Sequence, residues 1–428
     1  MKWLAAAILC IVFSYGIMVG KYEVFPYKLI ASLKQFSGAK MENSLVNAQF
    51  SKDLSTTHVD FRRKVYNFLN TSDLYGWGGG IAKYNDALFG VDMIGNFFMY
   101  EKGGIVRRLD NISLSTNRSE VLAFLNSQNL DQLTLNRKMN TFRFLDIVSH
   151  VKDDQYTFYV SYHYYDIEKK VKSIYVAKLT VFSNIPLNDQ TIEPEIVYTS
   201  DAPIPLSHHS QFFSNRNGGR MQILNDNELA LALGDNNYDG FDNERRISQE
   251  DTSDYGKLIL IDLNTYNSRI IAKGLRNPQG LLLTSEGTLL ESEHGPQGGD
   301  ELNVLFSDGN YGWPNVTYGL NYNDNKWPLQ IDQGRHESYI KPVFAWLPSI
   351  APSNMIQASY PTEWNGDLIL GTLKEQTLYR LRLTEGRLVF SEEISVGERI
   401  RDLEQLNDGT IVLWTDNARF HGVRTSIT

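Results

Sequence analysis

Cysteine is almost missing: Cys10 stands alone in 428 residues. One thiol excludes an intramolecular disulfide framework and any structural zinc site built on cysteines. Positive charge is also short, with 41 Lys and Arg against 50 Asp and Glu, a net charge of −9 and no basic block. A nucleic-acid backbone has to be met by clustered cations, so no nucleic-acid partner is expected. Long apolar runs reduce to one, Trp3 to Val19. Against these shortages stand 23 Tyr, 21 Phe and 32 Gly, a composition that leans towards strands and tight turns.

The run WLAAAILCIVFSYGIMV lies between Lys2 and Lys21. A helical span takes about 20 residues, which puts this run at the short limit. No small-x-small cleavage site closes it, and Leu9 precedes Cys10 where a lipoprotein would carry a small residue. Residues 1–20 are therefore read as an uncleaved signal anchor, a transmembrane helix. Residues 21–73 are read as a polar linker with helical stretches such as FRRKVYNFLN.

From residue 74 to 428 the texture changes. Runs of strand length recur, among them YTFYVSYHYYD, KSIYVAKLTVF, ELALALGD, GKLILIDL, GDLILGTL and GTIVLWTD, separated by Gly, Asn and Asp turns. Most alternate with period 2, and Val121 to Leu135 is the main stretch of helical pattern. Antiparallel groups repeating every several tens of residues are what a β-propeller requires, since each blade buries its faces only against its neighbours. The spacing alone also suits a sandwich or a two-domain β protein.

The densest segment runs from Gly274 to Tyr322. Arg276-Asn277-Pro278-Gln279-Gly280 opens a strand with polar side chains. Glu293-His294-Gly295-Pro296 ends the next in a Gly/Pro turn, and Gly298-Gly299-Asp300-Glu301 and Asn310-Tyr311-Gly312-Trp313-Pro314 follow. Exposed carbonyls beside carboxylates are hard oxygen ligands of the kind calcium prefers, although glycines serving tight turns beside solvated carboxylates explain any one of these motifs equally well.

LRNPQG, SEHGPQGGDELN and NYGWPNVTYG resemble the core signature of the glucose/sorbosone dehydrogenase family, the pyrroloquinoline-quinone (PQQ) dependent aldose dehydrogenases. WLPSIAPS and GERIRDLEQLND, each followed by a strand run, match in the same order. The resemblance implies an all-β, six-bladed β-propeller of four-stranded antiparallel blades. It implies PQQ and calcium as cofactors, and a sugar or related alcohol as the substrate oxidised by hydride transfer. PQQ carries three carboxylates, so its pocket needs fixed cations. Arg399 and Arg401 stand two apart on an expected strand, hence on one face, where two guanidiniums grip carboxylates in bidentate fashion. The family pattern adds Lys374, Arg276, Asn277, His294 and Ser349 to the cofactor site, with Arg276 near the quinone oxygen that gains charge. It places calcium on the carbonyls of Gly295 and Pro296, and a second calcium at Glu301 and Tyr311. Salt bridges from Arg399 and Arg401 to Glu398 and Asp402 on an open surface are the plainer alternative for that pair.

One position departs. The family base is the histidine of a His-x-Gly-x-Arg motif, and the matching stretch here is Arg216-Asn217-Gly218-Gly219-Arg220. Arg216 stands where the histidine belongs, and a guanidinium does not serve as a base near neutral pH. His208, His209, Asp235 and Asp239 are the candidate replacements. The expectation is an exported, membrane-anchored dehydrogenase with its propeller on the periplasmic or extracellular side and an unidentified electron acceptor. The alternative is a catalytically silent propeller that binds a glycan or a protein.

Overall fold

The computed structural model describes residues 48–55, 60–66, 76–101, 105–152, 155–182, 185–241, 243–322, 335–417 and 420–425. All fall within one compact unit, Val46–Thr428. The expected anchor at 1–20 lies outside the described residues, as does most of the expected linker. Among the described residues no helix is long and apolar enough to cross a membrane.

The chain is an all-β propeller. Its sheets in chain order open with strands Gly80–Tyr84, Phe144–Lys152, Gly218–Asn225, Pro278–Leu283, Pro352–Gln357 and Ile400–Gln405. Each of these strands packs on the next, and Ile400–Gln405 packs back on Gly80–Tyr84, which closes a ring. Five sheets are each drawn from one stretch of chain. The other is composite: Ile400–Gln405, Ile411–Thr415 and Phe420–Thr425 are continued by Asp60–Tyr66 and Ala48–Ser55 from the amino-terminal side.

A uniform four-stranded plan is not what forms. Among the described residues three sheets have four strands and three have five. Ile204–Pro205 pairs with Val171–Phe182, and Gly309–Asn310 adds in parallel to Ser268–Lys273. The cause is the usual one: an outer strand exposes unpaired backbone groups, and neighbouring chain covers them. The same pressure corrects the helical reading of FRRKVYNFLN. Asp60–Tyr66 is a strand, in register with Phe420–Thr425 from Phe61 opposite Thr425 to Tyr66 opposite Phe420. The helical pattern around Val121 to Leu135 does form helices, Arg118–Ser127 and Gln132–Met139, broken at Asn129 with φ of 50°.

Apolar clusters fill the wedges between neighbouring sheets. Phe89 of the first sheet stacks on Phe158 of the second at 4.2 Å, and Phe98 meets Trp414 of the composite sheet at 5.5 Å. The ring's centre is polar instead. Arg220, 3% exposed, donates from Nη1 to Asp146 at 2.8 Å, from Nε to the Gln279 carbonyl at 2.7 Å and from Nη2 to the Arg401 carbonyl at 2.7 Å. One side chain thus ties its own sheet to three others.

Candidate active site

The opening strands all enter from one end of the ring, and the residues just before them gather there. Trp77 precedes Gly80, Arg143 precedes Phe144, Arg216 precedes Gly218, Asn277 precedes Pro278, Ala351 precedes Pro352 and Arg399 precedes Ile400. Together they line a cleft of about 1070 Å³. Arg143, Arg216, Arg276, Lys374, Arg399 and Arg401 all face it, and among the described residues no Asp or Glu does. In a chain of net charge −9 such a surface is selective for anions.

The carboxylates sit one layer behind and hold the cations in place. Asp416 accepts from Arg399 Nε at 2.8 Å and from Arg401 Nε at 2.9 Å. Burial works against its charge, but the two arginines more than offset this and hold its carboxyl below the usual value. The pair therefore lines the cleft and leans on Asp416, not on Glu398 or Asp402; Asp402 instead accepts from the Ile81 amide near the ring's centre. Arg276, 4% exposed, donates from Nη1 to the His294 carbonyl at 2.7 Å, and its buried Nε has no partner. Lys374 Nζ reaches the Ser349 carbonyl at 2.7 Å.

Trp313 lies behind the cleft and lines a small adjoining cavity beside Arg276. Its ring lies 5.1 Å from the Arg276 guanidinium and 6.0 Å from that of Arg216, and its indole N–H donates to Asp235 at 2.7 Å. Arg216 Nη1 contacts Asp235 at 3.2 Å and Asp239 at 2.7 Å. Desolvation opposes the Arg216 charge, but the two aspartates outweigh it and raise its pKa further. Asp235 and Asp239 are committed to this arginine and are absent from the cleft lining.

The histidines expected as replacements do not reach the cleft. His208 bonds the Tyr238 hydroxyl at 2.7 Å, and His209 packs on Phe213 at 5.0 Å beside Lys138. His294 does line the cleft, with Nε2 2.7 Å from the Pro352 carbonyl and Nδ1 3.3 Å from the Asn277 amide. Burial pulls its pKa down to about 4, so it is a neutral, fully engaged spacer.

At the Gly/Pro turn the chain passes close to the Gly298 and Gly299 carbonyls. A Cβ on Gly295 would lie 2.3 Å from the Gly298 carbonyl oxygen and 2.2 Å from that of Gly299, so only glycine fits. The Pro296 carbonyl accepts from the Tyr322 hydroxyl at 3.1 Å. Ser349 lines the cleft, and its hydroxyl donates to Asp300 at 2.6 Å. Glu301 and Tyr311 border a small adjoining cavity with Arg276 and Glu293. The Tyr311 hydroxyl is spent on the Val304 carbonyl and the Phe306 amide, which leaves only its backbone as a ligand. Among the described residues no group of three or more His, Cys, Asp or Glu is arranged to hold a metal ion.

Sequence reasoning missed Arg143, Trp77, Asp416 and the Trp313 ring packed on Arg276. The usable signal was positional: a polar or aromatic residue directly before the opening strand of each sheet. Arg143 in TFRFLDIVSH fits it, as does Arg399 in GERIRDLEQ.

A family model described as Glucose / Sorbosone dehydrogenase matches residues 110–421. An aldose sugar dehydrogenase of Escherichia coli is 31% identical over 229 residues, 48% of this chain and 58% of that protein. The chain thus spans little more than half the length of that curated relative, and 53% of a second, uncharacterised protein from Synechocystis. In structure it superposes on the apo-form of the soluble aldose sugar dehydrogenase from Escherichia coli with a TM-score of 0.63, at 21% identity, over 89% of this chain and 99% of that one. The PQQ-bound aldose sugar dehydrogenase from Streptomyces coelicolor gives 0.59 at 19% identity, over 89% and 100%.

Proposed function

The chain belongs to the glucose/sorbosone dehydrogenase family, and from that premise we propose that it binds PQQ in the cationic cleft and oxidises a sugar or related alcohol there. The observation that carries the reading is the convergence on one cleft, among the described residues, of six cations and no carboxylate. A ligand with three carboxylates fits such a surface, and the unpartnered Nε of Arg276 points to an acceptor from outside the chain. When bound, PQQ supplies a two-electron acceptor for hydride. The chain's own part is positional and electrostatic. Arg399 and Arg401, aligned by Asp416, would hold carboxylates, with Lys374 and the Asn277 amide beside them. Arg276 would oppose negative charge as it develops on the ligand, in a site whose dielectric is lowered by Trp313. Calcium is part of the proposal, on the Gly295 and Pro296 carbonyls and at Glu301 with the Tyr311 backbone. So are the anchor at 1–20, export of the propeller, and the composite sheet as the sixth blade that closes the ring.

A second reading has its own observation. Arg216 occupies the position expected for the base, clamped between Asp235 and Asp239, and among the described residues no free histidine or carboxylate lines the cleft. A propeller that binds its ligand without turnover fits that arrangement. Titration of the purified full chain with PQQ and calcium, followed by dye reduction over a panel of sugars, separates the two. Saturable binding with turnover supports the dehydrogenase, and binding without turnover supports the silent propeller. Absence of binding removes both cofactor readings.

A further inference from the structure

Lys172 stands at the start of Val171–Phe182 in the second sheet and has no exposed surface. Its ammonium lies over the rings of Phe142 at 6.0 Å and Phe212 at 5.9 Å, and it donates to two neutral oxygens, Asn217 Oδ1 at 3.3 Å and Asn236 Oδ1 at 3.4 Å. Burial first, and then the Arg143 cation, pull its pKa down to about 7. A buried amine in such surroundings works against stability, and groups held at that cost cluster at functional sites. Asn217 follows Arg216 and Asn236 follows Asp235, so one amine ties the two segments that carry this ion pair. Backbone bonds lace the same segments: the Asn236 amide donates to the Arg216 carbonyl, the Gly234 amide to the Asn217 carbonyl and the Asp235 amide to the Arg276 carbonyl, each at 2.9 Å. Both asparagines are fully buried and spend their own amide nitrogens on carbonyls, Asn217 on Ser214 at 3.1 Å and Asn236 on Gly234 at 3.3 Å. Asn236 and Asn237 are both left-handed, with φ of 49° and 65°, and Asp235 accepts from the Asn237 amide at Oδ1 and from Arg216 and the Trp313 indole at Oδ2. Consecutive left-handed residues are uncommon outside glycine and persist where the surroundings hold them.

We infer that Lys172 is a positioning residue of the cleft: through Asn217 and Asn236 it fixes Arg216 and Asp235 relative to the Trp313 indole. Its bearing on substrate oxidation rests on the reading above, in which Arg216 stands at the position of the base. Without the ammonium the two buried amide oxygens lack a donor, and they turn towards others at the expense of the segments they belong to. The fold is relieved of a buried charge while the site loses its alignment. Stability and local geometry therefore move in opposite senses, which a purely structural role does not produce.

The test is Lys172→Met in the full chain, where methionine keeps the unbranched stem and removes the amine. Nitrogen-labelled protein reports the indole N–H protons of Trp313 and Trp414 by NMR, each assigned from its Phe variant. The Trp313 proton, donated to Asp235 at 2.7 Å, is expected to shift upfield. It is also expected to exchange with solvent at least about tenfold faster, as a local opening does. The Trp414 indole, bonded to the Gly78 carbonyl at 3.0 Å in the composite sheet, is the control and stays unmoved. The urea midpoint is expected to be no lower than that of the unsubstituted chain. An unmoved Trp313 proton with unchanged exchange overturns the inference. Equal acceleration at Trp313 and Trp414, or a lowered urea midpoint, overturns it too, because a role in the fold as a whole predicts those results. Neither measurement needs the cofactor, so a chain that takes up no PQQ sinks the reading above and leaves the outcome for Lys172 decided.

Discussion

Replacing Arg220 by Met tests the idea that the ring is held at its centre by one buried cation. Methionine keeps the unbranched apolar stem and removes the guanidinium, so the loss is chiefly of charge and hydrogen bonds. Asp146 and Asp402, 2% and 1% exposed, would lose their counter-ion, since Arg220 Nη1 lies 2.8 Å from the first and 3.7 Å from the second; burial and the Asp402 charge, which push the Asp146 carboxyl up to about 7 even beside Arg220, would then act unopposed. Breaking a buried pair by removing one partner costs about 3–5 kcal/mol. The donated bonds to the Gln279 and Arg401 carbonyls go as well. Asp146 keeps the Met221 amide at 2.7 Å, and Asp402 keeps Ile81 and Asn354, which limits the loss. The net expectation is about 3–5 kcal/mol in urea unfolding followed by tryptophan fluorescence near pH 7.5. Arg220→Met combined with Asp146→Asn should recover at least half of that, because the stranded charge has been removed together with its partner. A loss below about 1 kcal/mol for the single variant, or no recovery in the double, would refute the reasoning.

Arg216→His should leave PQQ affinity unchanged within about twofold and raise sugar-dependent dye reduction by at least about a hundredfold if the arginine is what silences the site. Unchanged turnover in that variant would show that the base is not the missing part. Lys172 is fully buried, its ammonium donating to the Asn217 and Asn236 side-chain oxygens, and burial pulls its pKa down to about 7. The unfolded chain then binds more protons than the fold between pH 7 and 10.5, so stability should climb with pH across that window. Lys172→Met should stabilise by about 1–3 kcal/mol at pH 7, with the gain shrinking towards pH 10. A gain independent of pH would mean that the amine is not the cause. Asp416 acts in the opposite sense. Its carboxyl titrates below the usual value, so its contribution is present above the ordinary aspartate pKa and is lost as pH falls through the folded value. Asp416→Asn should flatten the acid limb below about pH 4 and weaken PQQ binding about tenfold by releasing both arginine forks. An unchanged acid limb would show that the pair does not stabilise the fold.

The alternation in runs such as ELALALGD and GTIVLWTD determined the strands, because a period of two commits one face to burial whatever packs on it. The motifs at 274–322 likewise marked the Gly295-Pro296 turn, since close carbonyl approach there tolerates no Cβ. Arg399 and Arg401, two apart, were legible as a pair facing one way. What covers an exposed sheet edge is not a local property. FRRKVY becomes a strand only because Phe420–Thr425 presents unpaired backbone groups to it across the closed ring. Partners distant in sequence are invisible for the same reason: Arg143 meets the Asn215 carbonyl, Arg220 meets Arg401, and Asp235 meets Trp313 only once the six sheets stand in a circle. Charges and strands belong to the sequence, whereas which charge is left without a counter-ion is decided by the ring, since compensation depends on distance in space.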